Sequence, residues 1–481
     1  MTMIDGLFID GVWQAGHGAV LEVTNPATAT PIARVSGGDA AAIDAAARAA
    51  KRAFPAWKRV PARQRGEILR AIARAVEEDR ERLVALQMQC NGKPRFEAEL
   101  DVGDVIATFD YYADCCATGT GLSANPVALP DDAFSASVRF EPVGPVGLIV
   151  PWNFPMVTSA WKLAPALAAG CTVVLKPSEL TPLTEIELVR LAERAGLPAG
   201  VLNLVCGAGA EVGAALVAHP AIAKLSFTGS NKVGQAVMVA AAERVARVSL
   251  ELGGKSALIV LDDADLDQAV SLALGGAFFN AGQMCSATSR ILVARAVYPD
   301  FVERFCEAAA ALRLGAPGEE GAEMGPLISR AQQRRVLGYI EQGLAEGGLL
   351  LCDGRAAAEG EGFFVGPTVF SDLPVGRTLW REEIFGPVAC VRSFGDDAEA
   401  VAIANDSDFG LVATLVGGDA ARTEHLAGEL EVGLVWINSP QVIFPQTAWG
   451  GFKQSGIGRE LGPWGLRAFQ EIKHVVAGTV N

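Results

Sequence analysis

Short apolar runs alternate with amphipathic segments through the middle of the chain. One amphipathic segment, residues 181–196, carries a full set of helix signals: Thr181 as N-cap, Pro182 at the first helical position and Gly196 just beyond the end. Strands separated by such helices run parallel, because each crossover returns the chain to the same end of the sheet. The runs that we predict as strands are residues 146–150, 172–176, 201–205, 224–227 and 247–251.

The alternation resumes after this region, so the pattern predicts two doubly wound, Rossmann-like α/β domains with parallel sheets. Residues 40–88 have the apolar spacing of helices and precede the first set of strands. We assign residues 1–121 and 144–251 to the first domain and residues 252–453 to the second. Further predicted strands are 257–261, 290–294, 388–393, 412–416 and 433–437, with helices near 210–218, 231–242, 265–279 and 300–313.

Two segments, residues 122–143 and 454–481, do not alternate in this way. Each contains one strand-like stretch, at 135–142 and at 472–480. Strands with unpaired edges pair readily with another chain. We therefore expect a small β oligomerisation arm, formed by these bridging segments, in a homodimer or homotetramer.

Composition and charge narrow the class of protein. Half of the 481 residues are hydrophobic and 20% are charged, as in ordinary globular domains. The net charge of −15 disfavours nucleic acid and anionic membranes as partners. The uncharged run 142–161 contains four prolines, so we expect no membrane span there. The nine cysteines include no C-x-x-C pair and the N-terminus has no apolar core, so we expect a cytoplasmic protein without a metal site or signal peptide.

Two junctions from strand through glycine to helix indicate a nucleotide site. "VCGAGAEVG" at 205–213 approximates the dinucleotide fingerprint, but its last gap is one residue too long, and alone it is equally well a tight turn. "FTGSNKVG" at 227–234 places Gly229 beside a phosphate position and Ser230 at a helix N-terminus, which attracts anions. Two such junctions in one doubly wound domain favour a bound nucleotide.

"KPSE" at 176–179 lies at the carboxyl end of a predicted strand, where open α/β sheets bind ligands. Lys176 and Glu179 could each hydrogen-bond a ribose hydroxyl. A carboxylate there would repel a 2′-phosphate, so NAD is favoured over NADP. Without its context this stretch would be a solvated turn.

Three residues are candidates for covalent chemistry. Cys285 follows a predicted helix in a turn of small residues whose N–H groups could stabilise a thiolate or an oxyanion, although a packed cysteine is the alternative. Glu251 ends a strand before two glycines and could serve as a general base; the alternative is a surface carboxylate. Asn153 is held between two prolines and could donate to an oxyanion or cap a turn.

Taken together, these motifs resemble the NAD(P)-dependent aldehyde dehydrogenase superfamily along nearly the whole chain. The likeness is closest to betaine aldehyde and aminoaldehyde dehydrogenases, on "GQMCSATSR" and "FPQTAWGG". The motifs occur in family order: "PWNFP", "KPSE", "FTGS", "LELGGKS", "GQMCSATSR", "EEIFGPV" and "WGGFKQSGIGRELG".

The resemblance implies a role for each matching residue. Cys285 would be the nucleophile, Glu251 the general base and Asn153 the oxyanion donor, with Lys162 and Lys176 completing the catalytic set. Lys162 and Lys453 match a charge relay of some members. The resemblance makes the first domain the NAD-binding domain and the second the catalytic domain. The implied cofactor contacts are Val150, Pro151, Trp152, Lys176, Ser178, Glu179, Gly209, Gly213, Phe227, Thr228, Gly229, Ser230, Val233, Leu252, Gly253, Glu383 and Phe385.

The implied reaction is the NAD⁺-dependent oxidation of an aldehyde through a cysteine thiohemiacetal and thioester. Aromatic residues that match a substrate tunnel would contact a quaternary ammonium, and two aspartates match positions that attract amino groups. These residues are Phe154, Trp161, Phe279 and Trp449, with Asp101 and Asp104. The expected substrate is therefore betaine aldehyde or an aminoaldehyde.

Two alternatives remain open from the residues. The first is a broad-specificity aliphatic or aromatic aldehyde dehydrogenase, because phenylalanine is a weaker partner for a cation than tryptophan. A cysteine esterase or acyl transferase that uses Cys285 and Glu251 without redox chemistry is the other.

Overall fold

The computed structural model describes residues 3–478 and is built on two mainly parallel sheets. The predicted α/β class with two doubly wound sheets is confirmed. Among the described residues, each helix is too short or too polar to serve as a membrane span. The helices are Ala40–Trp57, Ala62–Glu78, Arg80–Asn91, Arg95–Thr118, Pro155–Ala169, Pro182–Arg194, Ala214–Ala218, Asn231–Ala242, Leu266–Phe278, Tyr298–Ala311, Arg330–Ala345, Thr378–Arg381, Asp397–Asn405, Ala420–Glu429 and Gly462–Arg467.

The first sheet has eight strands, and its five central strands are parallel. The chain leaves Pro145–Ile149 towards one side and later returns to Lys224–Thr228 on the other side. The point between these two strands is where an open α/β sheet forms its ligand crevice. The strand order is Gly456–Ile457, Arg247–Glu251, Lys224–Thr228, Pro145–Ile149, Thr172–Lys176, Leu202–Val205, Leu7–Ile9 and Val12–Gln14.

The second sheet has seven strands, all parallel except the first. Its five central strands are largely buried and rich in Val, Leu and Ile, as parallel strands covered on both faces require. The strand order is Leu349–Cys352, Thr368–Ser371, Val388–Phe394, Arg290–Ala294, Ala257–Val260, Val412–Val416 and Leu434–Ile437.

The arm is a three-stranded antiparallel sheet in which Phe134–Pro142 lies between Asn125–Val127 and Gln470–Gly478. The predicted bridging segment 454–481 is only in part an arm. Gly456–Ile457 pairs antiparallel with the end of Arg247–Glu251 and extends the first sheet. The end of the predicted strand at 472–480 lies outside the described residues.

Some of the N-terminal residues form a sheet of their own and do not extend the first sheet. Met3–Ile4, Thr30–Val35 and Leu21–Asn25 form a small separate sheet. The two short strands Phe409–Gly410 and Phe452–Lys453 pair with each other next to the second sheet.

Candidate active site

The candidate site lies where the parallel strands of the first sheet end and the chain crosses to the second sheet. Glu251 is the last residue of its strand, and Leu252 donates its N–H to the Ser455 carbonyl at 2.9 Å. Cys285 approaches from the second domain, in the connection between Leu266–Phe278 and Arg290–Ala294. A side-chain carbon at Gly254 would collide with the carbonyl oxygen of Cys285, so this glycine permits the close approach of the two loops.

The backbone before Cys285 makes an unusual turn. Asn280, Ala281 and Gly282 all have positive φ angles, of 51°, 52° and 70°. Non-glycine residues in this region cost free energy, and such costs are concentrated at functional sites. The turn is supported by a hydrogen bond of 2.9 Å from the Asn280 N–H to the buried carboxyl of Glu97.

Asn153 is joined to the same turn by two amide hydrogen bonds. Its Nδ2 donates to the Gln283 carbonyl at 2.9 Å, and Asn280 Nδ2 donates to the Asn153 carbonyl at 3.1 Å. Gln283 in turn accepts the Ile328 N–H at 2.9 Å. This network fixes the amide of Asn153 beside the backbone that presents Cys285.

Glu251 is buried, and neither carboxylate oxygen has a hydrogen-bond donor in the described residues. Burial raises its pKa well above the usual range, and the neighbouring Glu460 raises it further, while Lys162 and Arg459 act in the opposite direction. When the pH or a neighbouring charge favours its ionised form, the Glu251 carboxylate can accept a proton.

The thiol of Cys285 is also held in its neutral form. Burial, then the negative charges of Glu383 and Glu251, raise its pKa to about 12, although the N–H groups of Ser286 and Cys285 favour the thiolate. Cys285 therefore lies near two carboxyl groups, and their negative charges add to the effect of burial on the ionisation of the thiol.

Lys162 forms a buried ion pair with Glu460 and donates to the Thr228 hydroxyl at 2.7 Å. This pair lies next to Glu251, whose pKa responds to both charges. Lys453 lies elsewhere: its ammonium contacts the Asn405 carbonyl at 2.7 Å and Glu431 at 2.6 Å. The charge-relay roles expected of Lys162 and Lys453 stay predictions, and in the structure the two lysines pair with different carboxylates, Glu460 and Glu431.

The predicted ribose-binding pair is close together at the end of Thr172–Lys176. Lys176 Nζ lies 3.1 Å from the Glu179 carboxylate, and the carboxylate also faces the turn that begins at Gly209. Burial raises the pKa of Glu179, but Lys176 and nearby backbone N–H groups outweigh it and leave the pKa below its usual value. Ser178 accepts the Leu180 N–H, and Gly213 ends a short π-helical turn after Gly209.

The second junction predicted to bind phosphate runs from a strand through Gly229 to a helix. Phe227 and Thr228 end a strand, and the Gly229 N–H donates to the Glu251 carbonyl at 3.0 Å. Any Cβ at Gly229 would lie 2.5 Å from the Phe227 ring. Ser230 caps the helix Asn231–Ala242, whose first turn carries the exposed Val233.

Glu383 and Phe385 come from the second domain to the same crevice. The Gly254 N–H donates to Glu383 Oε1 at 3.0 Å, and a Cβ at Gly253 would lie 2.5 Å from Glu383 Oε2. Burial raises the pKa of Glu383 to about 7. Phe385 packs edge-on against Trp152, with ring centroids 5.2 Å apart. Trp152 follows Val150 and Pro151, the first residues beyond the strand Pro145–Ile149.

Comparison with known proteins identifies the family. The family model described as "Aldehyde dehydrogenase family" matches residues 13–475. The chain belongs to the aldehyde dehydrogenase family. It is 43% identical to betaine aldehyde dehydrogenase 1 of Oryza sativa subsp. japonica, over 98% of this chain and 94% of the relative. It is 43% identical to a chloroplastic aminoaldehyde dehydrogenase of Arabidopsis thaliana, over 99% and 96% of the two chains.

A solved structure gives the same result at the level of the fold. The NAD⁺ complex of an aldehyde dehydrogenase from Bacillus cereus superposes with a TM-score of 0.96 and 41% identity, covering 99% of this chain and 96% of the other. The family resemblance that the sequence motifs suggested is confirmed.

Four aromatic residues predicted for an aldehyde dehydrogenase tunnel form two pairs. Phe154 and Phe279 are parallel, with centroids 6.4 Å apart and 6° between their planes. Trp161 and Trp449 are tilted, with centroids 5.4 Å apart. Asp104 accepts the Trp161 indole N–H at 2.6 Å, and burial raises the pKa of Asp104 to about 7.

Asp101, predicted to attract a substrate amino group, has a cationic partner within the protein. Its buried carboxylate lies 2.6 Å from the ammonium of Lys93, so its charge is already paired within the protein. Sequence reasoning missed Lys93, Glu97 and Gln283. Glu460 lies within the motif "WGGFKQSGIGRELG", but nothing in that motif indicated its role. A glutamate close to a glycine-rich stretch was a weak signal for Glu460, but nothing local links Lys93 to Asp101.

Proposed function

We propose that this protein oxidises an aldehyde to the carboxylic acid, with NAD⁺ as acceptor and Cys285 as the nucleophile. The observation that carries the proposal is that Cys285, Glu251 and Glu383 meet at the crossing between the two sheets, where both carboxyl groups raise the pKa of the Cys285 thiol. A structural cysteine needs no such carboxyl groups around it.

In the first step the Cys285 thiol releases its proton to solvent, and the thiolate sulfur adds to the aldehyde carbon to form a thiohemiacetal. The negative oxygen of this adduct is stabilised by the Asn153 amide and the backbone N–H of Cys285. The hydrogen bond from Asn153 to the Gln283 carbonyl holds the amide in place, so little reorganisation accompanies charge development.

The residues at the crevice fit a dinucleotide. A side chain would collide with the Phe227 ring at Gly229 and with Glu383 at Gly253, so both positions need glycine. Glu383 offers carboxylate oxygens that could accept ribose hydroxyls. Lys176 and Glu179 would hold the other ribose, and Trp152 and Phe385 would border the nicotinamide. NAD⁺, when bound, supplies the hydride acceptor that converts the thiohemiacetal into a thioester.

Glu251 then completes the reaction. Its carboxylate takes a proton from water, the resulting hydroxide attacks the thioester carbon, and the C–S bond breaks to give the acid and the free thiol. A raised pKa makes Glu251 a stronger base than an exposed carboxylate. The absence of donors to its oxygens leaves both available to water.

We propose NAD⁺ over NADP⁺ because Glu179 stays ionised beside the expected ribose position. Replacing Glu179 with Ala removes the charge that would repel a 2′-phosphate. We expect the ratio of kcat/KM for NAD⁺ to that for NADP⁺ to fall about tenfold in E179A. Initial rates of reduced-cofactor formation measure it, and an unchanged ratio would remove Glu179 from cofactor choice.

The proposed substrate is betaine aldehyde or an aminoaldehyde, the substrates for which the curated relatives are named. The two aromatic pairs expected to line the substrate tunnel support it, since aromatic faces attract ammonium groups.

A panel of aldehydes tests the proposal directly. Betaine aldehyde, 4-aminobutyraldehyde, hexanal and benzaldehyde are each mixed with the protein and NAD⁺, and NADH is followed by absorbance. We expect NADH and one equivalent of acid with at least one cationic aldehyde. Ester cleavage without NADH from any aldehyde would instead favour a hydrolase.

A further inference from the structure

Phe154, which is expected to line the substrate tunnel, packs against the buried ammonium group of Lys93. Lys93 lies between the helices Arg80–Asn91 and Arg95–Thr118, and its side chain is fully buried. Its Nζ is 2.6 Å from Asp101 Oδ2, and Gln87 also donates an amide hydrogen to this carboxylate. Buried charges are retained when they are paired and hydrogen-bonded, as this pair is.

The same ammonium lies over an aromatic ring of the predicted tunnel. Lys93 Nζ is 3.5 Å from the centroid of Phe154, well within the range of a cation–π interaction. One face of Phe154 is therefore occupied by an internal cation. The parallel Phe279 ring stands 6.4 Å away, and Phe96 supports Phe279 edge-on at 6.1 Å.

The pairing has an electrostatic consequence for the tunnel. Asp101 is one of two aspartates expected to attract a cationic substrate, and Lys93 cancels its charge. The other, Asp104, accepts hydrogen bonds from Trp161 and from the Thr108 hydroxyl at 3.2 Å. The net charge near this part of the expected tunnel therefore depends on how fully the charge of Lys93 offsets that of Asp101.

We propose that Lys93 is a specificity-determining residue, which limits the preference for cationic aldehydes by balancing the charge of Asp101 and covering one face of Phe154. The inference rests on the proposed function and deepens it. Lys93 does not contact the reacting atoms; it acts on the part of the substrate that is distant from the aldehyde.

Two aldehydes of the same shape isolate the effect of charge. Betaine aldehyde and 3,3-dimethylbutanal differ in having nitrogen or carbon at the centre of the trimethyl group. Their ratio of kcat/KM is measured from pH 7 to pH 10, because burial raises the pKa of Asp101 and its carboxylate accumulates as the pH rises. Because both substrates fill the same space, a general loss of structure lowers both values and leaves the ratio unchanged.

Four proteins form a charge cycle: the wild type, K93M, D101N and the double variant K93M/D101N. K93M leaves an uncompensated carboxylate, so we expect the ratio to rise about tenfold. D101N leaves an uncompensated ammonium, so we expect it to fall about tenfold. The double variant carries neither charge, so its ratio returns to within about threefold of the wild type, and K93R retains the wild-type ratio.

Binding of tetramethylammonium by calorimetry repeats the test without turnover. We expect K93M to bind this cation more tightly than the wild type and D101N to bind it more weakly. Equal ratios and equal affinities across the cycle would overturn the inference while leaving aldehyde oxidation intact. The expected order of affinities, with no NADH from any aldehyde, would support the role of Lys93 and reject the proposed function.

Discussion

At the scale of single residues, the chemistry depends on carboxyl groups that share a buried space with one thiol. Glu251 and Glu383 both raise the pKa of Cys285, and burial raises the pKa of all three groups. Ionisation of either carboxyl group therefore makes ionisation of the Cys285 thiol less favourable. Turnover is expected to depend on which of these groups holds a proton.

The pH dependence of Glu251 follows from the direction of its shift. Its pKa lies above the usual value, so the basic form accumulates only as the pH rises through that higher pKa. We expect kcat to rise with pH in the wild type. Replacing Glu251 with Gln should lower kcat about 100-fold or more and abolish this rise.

Steady-state NADH formation between pH 6 and pH 10 measures the effect. Glu431→Gln is a suitable control, since that carboxylate pairs with Lys453 on an exposed part of the chain. Persistence of the same rise in E251Q would show that another group is the base.

The charge of Glu383 should be visible in the reactivity of the thiol. Glu383→Gln removes the negative charge with the largest effect on Cys285, so the thiol pKa should fall and alkylation should become faster. We expect iodoacetamide to modify Cys285 several-fold faster in E383Q than in the wild type at pH 8.5, as followed by mass spectrometry. Glu382→Gln is the matched control, because this exposed neighbour instead accepts the Tyr339 hydroxyl; equal rates in the two variants would contradict the account.

Residue roles could be predicted from sequence only where a local pattern carries them. Cys285, Glu251 and Asn153 stand in short motifs at the ends of predicted elements. The pairing of Lys162 with Glu460 joins residues 298 positions apart, and no periodicity reports such a contact. Lys93 and Asp101 are close in sequence, but their pairing depends on how two helices pack.

At the scale of elements, the glycines after Glu251 let two loops meet. A side chain at Gly254 would collide with the Cys285 carbonyl oxygen, whereas a Cβ at Gly275 would meet nothing within 4 Å. We expect Gly254→Ala to reduce kcat/KM about 100-fold or more, because small displacements of reacting groups are costly. Gly275→Ala lies in a helix and should keep activity with equal or greater thermal stability.

Activity and melting temperature of the two alanine variants are measured together. Loss of activity in both, or in neither, would show that the contact between Gly254 and Cys285 does not position the nucleophile.

The parallel strands were predictable because strands buried on both faces appear as unbroken apolar runs. Thr172–Lys176, Arg247–Glu251 and Arg290–Ala294 have the predicted bounds. The helix Pro155–Ala169 was not predicted, since all fifteen of its residues are buried and no polar face marks its period. Arg95–Thr118 was missed for a related reason, because its buried residues include charged ones that pair internally.

At the scale of the whole molecule, the arm is the feature expected to join subunits. The edge of Gln470–Gly478 that faces away from Phe134–Pro142 pairs with no other strand in residues 3–478. Ile472 and Val476 on this strand are 63% and 60% exposed. We propose that this edge pairs with a second copy of the chain, as a homodimer or a homotetramer built from such dimers.

Charged substitutions on the arm test the assembly. We expect I472D/V476D to lower the mass measured by light scattering to that of a smaller species. The new aspartates would place like charges close together where the strands of two copies pair. Val12→Asp is the control, as Val12 is equally exposed on an edge of the first sheet. An unchanged mass in the arm variant, or an equal loss in V12D, would argue against assembly through the arm.

The most direct test of the central claim is the mass of the protein during turnover. E251Q is mixed with an aldehyde and NAD⁺, quenched in acid and measured intact, and its peptides are then sequenced. The account predicts an added acyl group, with the mass of the aldehyde less two hydrogens, on Cys285 and only when NAD⁺ is present. Formation of NADH without this adduct, or with the adduct on another cysteine, would contradict it.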